Sequence, residues 1–332
     1  MGLKGTIRTI QAAQRRAERD AKRQQRELEG RRRQFEKMED LERATYEVQV
    51  YENHLEILTS MHKEYGETWE WKSIKSSYPP PEPKRDDANE RAAQDAFRTY
   101  KPSITDKVFR LAATKHQELE GAIDKAREED DRAYKTAVKE YEVKHVEWEE
   151  LVALADRILS GDLEAYYEVA KEVNPFSEIS GLGSSLSYDF TTPRLAEVSI
   201  RVNGEHVIPA ETKTLLKSGK LSVKKMTKTM FYELYQDYVC GSLLRVAREF
   251  FALLPLDMVI VTAVGEVLNT KTGHLEKSPI ASVAIPRSTL VRLNFNQIDP
   301  SDSMQNFVHH MKFQKTKGFQ VVEVVKSADL EP

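Results

Sequence analysis

The chain has 332 residues, with 50 Lys plus Arg, 53 Asp plus Glu, 14 Gly, 13 Pro and one Cys. That length fits two domains, or one domain with a long appendage, and a single Cys excludes an intrachain disulfide scaffold. The net charge of −3 conceals a division: 69 of residues 1–175 are charged, against 34 of residues 176–332. The first part is too charged to surround a wide core, whereas the second has ordinary globular composition.

Residues 1–33 hold eleven basic and four acidic side chains, including Arg15, Arg16, Arg19, Arg31, Arg32 and Arg33. So little apolar surface accompanies them that charge must govern the contacts of this segment. Three partners fit: acids elsewhere in the protein, such as the Glu118–Asp131 run; a nucleic-acid backbone; or an anionic membrane, the weakest of the three.

A helix is expected over 6–64, where there is no Pro and Gly30 is the lone Gly. Its apolar stripe, Met38, Leu41, Ala44, Val48, Tyr51, Leu55 and Leu58, keeps spacings of three and four. Gly66 and the run Tyr78-Pro79-Pro80-Pro81-Glu82-Pro83 must end it. The segment 66–86 reads as a compact Pro-rich connector, in which Trp69, Trp71 and Tyr78 are candidates for docking a partner. Further helices are expected at 87–98, 104–159 and 162–173. The long one carries Tyr134, Val138, Tyr141, His145, Trp148, Val152, Ala155 and Leu159 in strict four–three alternation, the seam of a coiled coil. Two helices of similar length joined by a short connector suggest an antiparallel hairpin, with a parallel dimer as the competing arrangement. Residues 1–175 thus read as a helical coiled-coil arm.

A linker is expected over 176–190, followed by an α+β domain over 191–332. Val198, Ile200 and Val202 alternate with polar residues, and Asn203-Gly204 suggests a hairpin turn into His206–Ile208. Thr229–Leu254 reads as a buried helix ended by Pro255. Strands are expected at 258–264, extending toward Leu268, and at 280–285, with the turn at 269–273 between them. A helical turn follows at 289–293. Asp299-Pro300 opens a helix over 303–311, and a last strand covers 319–325. This order predicts a mostly antiparallel sheet.

Few residues invite catalysis. No nucleophile elbow, phosphate loop or metal-ligand pair stands out, and no cofactor or metal is called for. Glu211 and Lys213, with Asp189 or Glu197 upstream, loosely fit the acidic and Glu-x-Lys arrangement of metal-dependent nucleases, although Pro209 argues against a central catalytic strand. Basic residues are more conspicuous. Lys217, Lys220, Lys224, Lys225 and Lys228 follow Lys213 with no intervening acid, and Ser218-Gly219 suggests a turn among them. His309, His310, Lys312, Phe313, Lys315, Lys317 and Phe319 interleave charge with aromatic rings, a pattern able to stack on a nucleic-acid strand. The reading favoured by these features is a non-enzymatic interaction or scaffold protein: a coiled-coil arm for assembly or self-association, and a C-terminal domain that binds a partner. The alternatives are nucleic-acid binding by the basic segments and, behind it, a nuclease-like domain.

Overall fold

A computed structural model describes residues 40–102, 112–173 and 183–330. Helix 6–64 before residue 40, the start of helix 104–159 and residues 176–182 of the 176–190 linker lie outside the described residues. The elements run α1 (Asp40–Ser60), α2 (Trp71–Lys75), α3 (Ala88–Thr99), α4 (Ala112–Ser160), α5 (Leu163–Val173), β1 (Gly183–Thr192), β2 (Leu195–Val202), β3 (Glu211–Leu215) and β4 (Leu221–Lys225). Then come α6 (Lys228–Leu253), β5 (Met258–Asn269), β6 (His274–Pro286), α7 (Arg287–Leu290), α8 (Pro300–Ser303), β7 (Val308–Met311), β8 (Phe313–Gln314) and β9 (Gly318–Phe319). Among the described residues, 72–155 form one compact unit, and 40–71 with 156–330 form another.

In the first unit part of the expected α4 seam can be followed. Tyr134, Val138, Tyr141, His145 and Trp148 are half-buried, while Val143 and Val146, off the seam, are exposed. The chain beside it is not a compact tip but an extended strip. Trp148 Nε1 donates to Ser77 Oγ at 2.9 Å, Arg85 pairs with Asp131 at 2.9 Å, Arg127 pairs with Glu90 at 2.8 Å, and Phe97 meets His116 edge-on at 4.5 Å. Residues 77–97 therefore run antiparallel to 116–148. The lengths agree: that part of α4 spans about 48 Å at 1.5 Å per residue. An extended Pro-rich segment over 77–87 at about 3.1 Å per residue, together with α3, covers the same distance. Four prolines fix φ and withhold N–H donors, so the strip stays extended and does not fold back. Buried Asp130 accepts from Asn89 Nδ2 at 2.7 Å and from the Glu90 amide at 2.9 Å, satisfying the first turn of α3.

The second unit is built on a five-stranded sheet in the order β1-β2-β5-β6-β7, antiparallel except for the parallel pair β2–β5. It is thus an α+β arrangement with a mixed sheet. The expected linker is corrected here: its residues from Gly183 onward form edge strand β1, whose Tyr188 and Phe190 reach Phe250 of α6 at 5.5 and 6.2 Å. The expected hairpin at Asn203-Gly204 does not form, and Glu205–Val207 is a 3-10 turn. The Asn203 backbone is engaged by α6 instead: its amide donates to Tyr238 Oη and its carbonyl accepts from Tyr235 Oη, each at 3.1 Å.

Helix α6 covers one sheet face and is buried from Tyr238 to Leu253 apart from half-buried Arg248. Helix α1 packs on α6 and on the β3–β4 hairpin. Of its stripe, Ala44, Val48 and Leu58 are buried, Tyr51 and Leu55 half-buried and Leu41 exposed, and the surface that buries them belongs to this unit and is not the matching arm of a hairpin. Gly241 of α6 permits close approach, since a Cβ there would lie 3.2 Å from Met61 Cγ.

The end of the chain departs from expectation. Asp299 caps α8 through the amides of Ser301 and Asp302, at 2.8 and 3.0 Å. The helix stops at Ser303, however, and residues 308–311 form β7 against β6. Of the expected last strand only Phe319 pairs, as part of β9 with β8. Beyond it the chain crosses the second sheet face, where the Val322 amide donates to the Pro279 carbonyl and the Val325 amide to Ser282 Oγ, each at 3.0 Å. Val325 packs there on Ile260 and Ala284.

Candidate functional site

The β3–β4 hairpin pairs Glu211 with Lys225, Thr212 with Lys224, Lys213 with Val223, Thr214 with Ser222 and Leu215 with Leu221. Its turn closes through the Leu216 amide to the Lys220 carbonyl at 2.9 Å and the Gly219 amide to the Leu216 carbonyl at 2.8 Å, with Gly219 at φ +79°. That dihedral is the left-handed region that Gly enters at low cost. The base is tied by the Met226 amide to the Ala210 carbonyl at 2.9 Å, and Met226 is buried. The hairpin is thus held at its root and against α1, leaving its rim to solvent.

The lysines of this segment divide by environment. Lys213 turns to Glu47 of α1, Nζ to Oε2 2.8 Å, and is neutralised there. Lys217, Lys220, Lys224, Lys225 and Lys228 are exposed, and among the described residues none has a side-chain partner. Glu211 stands opposite Lys225 in register but not within ion-pair distance. Lys228 opens α6, whose first turn carries no acid and whose N-cap is Thr227. The positive end of that helix adds to the lysine field, so the hairpin rim and the start of α6 form one electropositive surface suited to anions.

The other candidate residues fare differently. Glu211 and Lys213 do not assemble a metal centre: Lys213 is held by Glu47, Asp189 accepts from Tyr167 Oη at 2.5 Å, and among the described residues no group of three His, Cys, Asp or Glu converges to hold a metal ion. In the 309–319 segment, Lys315 pairs with Glu233 at 2.6 Å, and Phe319 meets Phe313 edge-on at 5.1 Å and Tyr235 edge-on at 5.8 Å. His309 and His310 contact backbone carbonyls at 3.0 Å. Those rings pack within the fold, so base stacking by this segment is set aside; Lys312 and Lys317 stay exposed. Trp69 and Trp71 are no docking knobs. They stack at 4.9 Å, both are buried, and Trp71 Nε1 donates to the Leu253 carbonyl at 2.8 Å. Tyr78, 91% exposed, remains open to a partner. Arg15, Arg16, Arg19, Arg31, Arg32 and Arg33 lie outside the described residues.

Sequence reasoning missed a charged cluster on α6. Arg245 and Glu249, four residues apart in an otherwise apolar helix, form a buried pair with Nε to Oε1 2.7 Å. Glu249 Oε2 accepts the Gly66 amide at 2.9 Å, and Arg248 Nη1 donates to the carbonyls of His62 and Lys63 at 2.6 and 2.9 Å. Together they clamp residues 62–66 to α6. The readable signal was three charged residues, 245, 248 and 249, inside an apolar helical run. Among the described residues no helix is long and apolar enough to cross a membrane. Comparison of the chain with protein-family models, curated proteins and solved structures returns no match.

Proposed function

We propose that this chain is a non-catalytic binding protein that engages a nucleic-acid backbone on the β3–β4 hairpin. The observation that carries this reading is the set of five exposed lysines, 217, 220, 224, 225 and 228, that lack partners among the described residues on a hairpin anchored at its base. Phosphates recruit such ammonium groups with release of counterions, independent of base sequence. In this reading α4, with 49 residues and a length of about 74 Å, acts as a spacer or assembly element in a larger complex. Its seam and exposed Tyr78 are the surfaces for a protein partner.

A second reading rests on Leu215, Leu216 and Val223, which are 41, 51 and 44% exposed on the same hairpin. Branched apolar side chains among lysines also suit an anionic bilayer surface.

The test is fluorescence anisotropy of the full chain with labelled duplex and single-stranded oligonucleotides across a salt series, alongside sedimentation with phosphatidylserine vesicles. Nucleic-acid binding predicts a linear fall of log K with log salt. Lys220→Ala with Lys224→Ala should reduce the duplex slope by about 2, at about 0.9 per phosphate contact. An unchanged slope in that variant, or no binding at about 50 mM salt, overturns the reading. Vesicle binding without oligonucleotide binding transfers it to the membrane.

A further inference from the structure

A cleft of about 380 Å³ in the second unit lies between α6 and α7, lined by Tyr65, Arg248, Phe251, Arg287, Leu293 and Phe295 among others. Its two arginines share an unusual setting. Arg248 sits 4.0 Å from the ring centroids of both Tyr65 and Phe295, and Arg287 lies 4.7 Å from that of Phe251. Their hydrogen bonds to the main chain run to carbonyls: Arg248 to His62 and Lys63, and Arg287 to Leu256, Phe251 and Leu254 at 2.6, 2.9 and 2.6 Å. Among the described residues no carboxylate lies within ion-pair distance of either guanidinium. Arg245, one turn away, takes Glu249. Burial pushes both side chains below the ordinary arginine value, and it outweighs the opposing pull of Tyr65 and Glu249 on Arg248 and of the more distant Asp257 and Glu70 on Arg287.

Carbonyl bonds from Arg248 use Nη1, and those from Arg287 use Nε and Nη2. Tyr65 takes a further hydrogen bond from Arg248, but Nη1 of Arg287 and the rest of the Arg248 N–H groups are left over, and a planar guanidinium presents such groups as a fork matched to an oxyanion. Apart from Thr68 and the Tyr65 hydroxyl, the rest of the cleft is apolar, with Leu290 and Leu293 beside the rings. We propose that this cleft binds a small organic carboxylate, its oxyanion on Arg248 and Arg287 and its aromatic or branched apolar body on Leu293 and Phe295. The proposal is independent of the hairpin.

The probe is 3-phenylpropionate, compared with its neutral amide, 3-phenylpropanamide, and with inorganic phosphate, each titrated into the full chain by isothermal calorimetry and ligand-observed NMR. The acid should bind with a Kd of about 1 mM or tighter, and the amide should bind at least about tenfold more weakly. Val291, 71% exposed at the lip, provides a variant that leaves the core untouched. Val291→Glu should weaken the acid about tenfold or more by like charge with its thermal melt unchanged. Arg248→Lys keeps the charge but loses the fork, and should also weaken the acid. Equal affinity for acid and amide overturns the proposal, as does absence of saturable binding at about 20 mM, well beyond the millimolar affinity expected. Phosphate competing as tightly as the acid overturns the assignment of an apolar body.

Discussion

The Arg245–Glu249 pair is the sharpest test of how the second unit is held. Glu249 is 3% exposed, and its partners include Arg245 at 2.7 Å and the Gly66 amide at 2.9 Å. Glu249→Leu leaves a buried cation and a backbone donor without their acceptor. Removing one member of a buried pair costs about 3–5 kcal/mol. Here exposed Glu64, 3.4 Å from Arg245 Nη1, offers a partial replacement, which places the expected loss near the low end, about 3 kcal/mol. Arg245→Met combined with Glu249→Leu removes both charges, and should recover all but about 1 kcal/mol. Urea denaturation followed by tryptophan emission measures this, because Trp69 and Trp71 are buried against residues 252–253 of the same helix. A Trp148→Phe background silences the reporter of the first unit, so that one transition is read. If Glu249→Leu costs less than about 1 kcal/mol, or the double variant is as unstable as the single, apolar packing and not this charge pair holds 62–66 on α6.

Two further outcomes follow from the same geometry. Burial, reinforced by the neighbouring Asp299 carboxylate, raises Asp237 from 3.8 to about 6. The folded state thus binds its proton more tightly, so the contribution of Asp237 to stability is fully present below about pH 4, is lost as pH rises to about 6, and levels off above. After discounting for solvent screening of a partly exposed group, Asp237→Asn should abolish this slope and add about 1–2 kcal/mol at pH 8, measured by urea melts across pH. Gly318 has φ +75°, and a Cβ there would lie 2.8 Å from the Tyr232 ring. Gly318→Ala should cost about 2 kcal/mol or more and expose the β8–β9 amides in hydrogen exchange.

Periodicity reported which faces are buried but not what buries them. The stripe of α1 is buried at Ala44, Val48 and Leu58 though not at Leu41, yet the same spacing serves a helix against another helix and a helix on a mixed surface. Here α6 and the β3–β4 hairpin cover it, and nothing local to residues 40–60 encodes that choice. The Pro-rich run was legible as a helix stop. Its path along α4 was not, because that depends on the Ser77–Trp148 and Arg85–Asp131 contacts across 71 and 46 positions. Strand β1 was obscured by its serines, although Leu186, Tyr188 and Phe190 alternate with Ser and Asp. Val321 to Val325 show the opposite error. Their β-branched composition suits a strand, but β6 already pairs with β5 and β7, so the segment buries Val322 and Val325 on the sheet face without joining it.

Charge was legible as a sum and illegible as a balance. Reading along the chain, Lys213 and Lys315 are indistinguishable from Lys220 and Lys224. In the fold the first two meet Glu47 and Glu233, 166 and 82 positions away, and the second two meet no side chain among the described residues. That subtraction moves the basic surface from a broad stretch to one rim, continuous with the start of α6. The same reasoning separates the arginines of α6. Arg245 is matched by a carboxylate one turn on, whereas Arg248 has rings, carbonyls and the Tyr65 hydroxyl as its contacts and feels Glu249 only beyond ion-pair distance. A cation without a carboxylate in contact still exerts a field on whatever enters the cleft. The hairpin lysines stand in water with their field screened within about 10 Å at 0.1 M salt, whereas the cleft arginines are partly shielded from it. Raising salt should therefore weaken oligonucleotide binding steeply and 3-phenylpropionate binding far less, so the two surfaces can be told apart in one titration series.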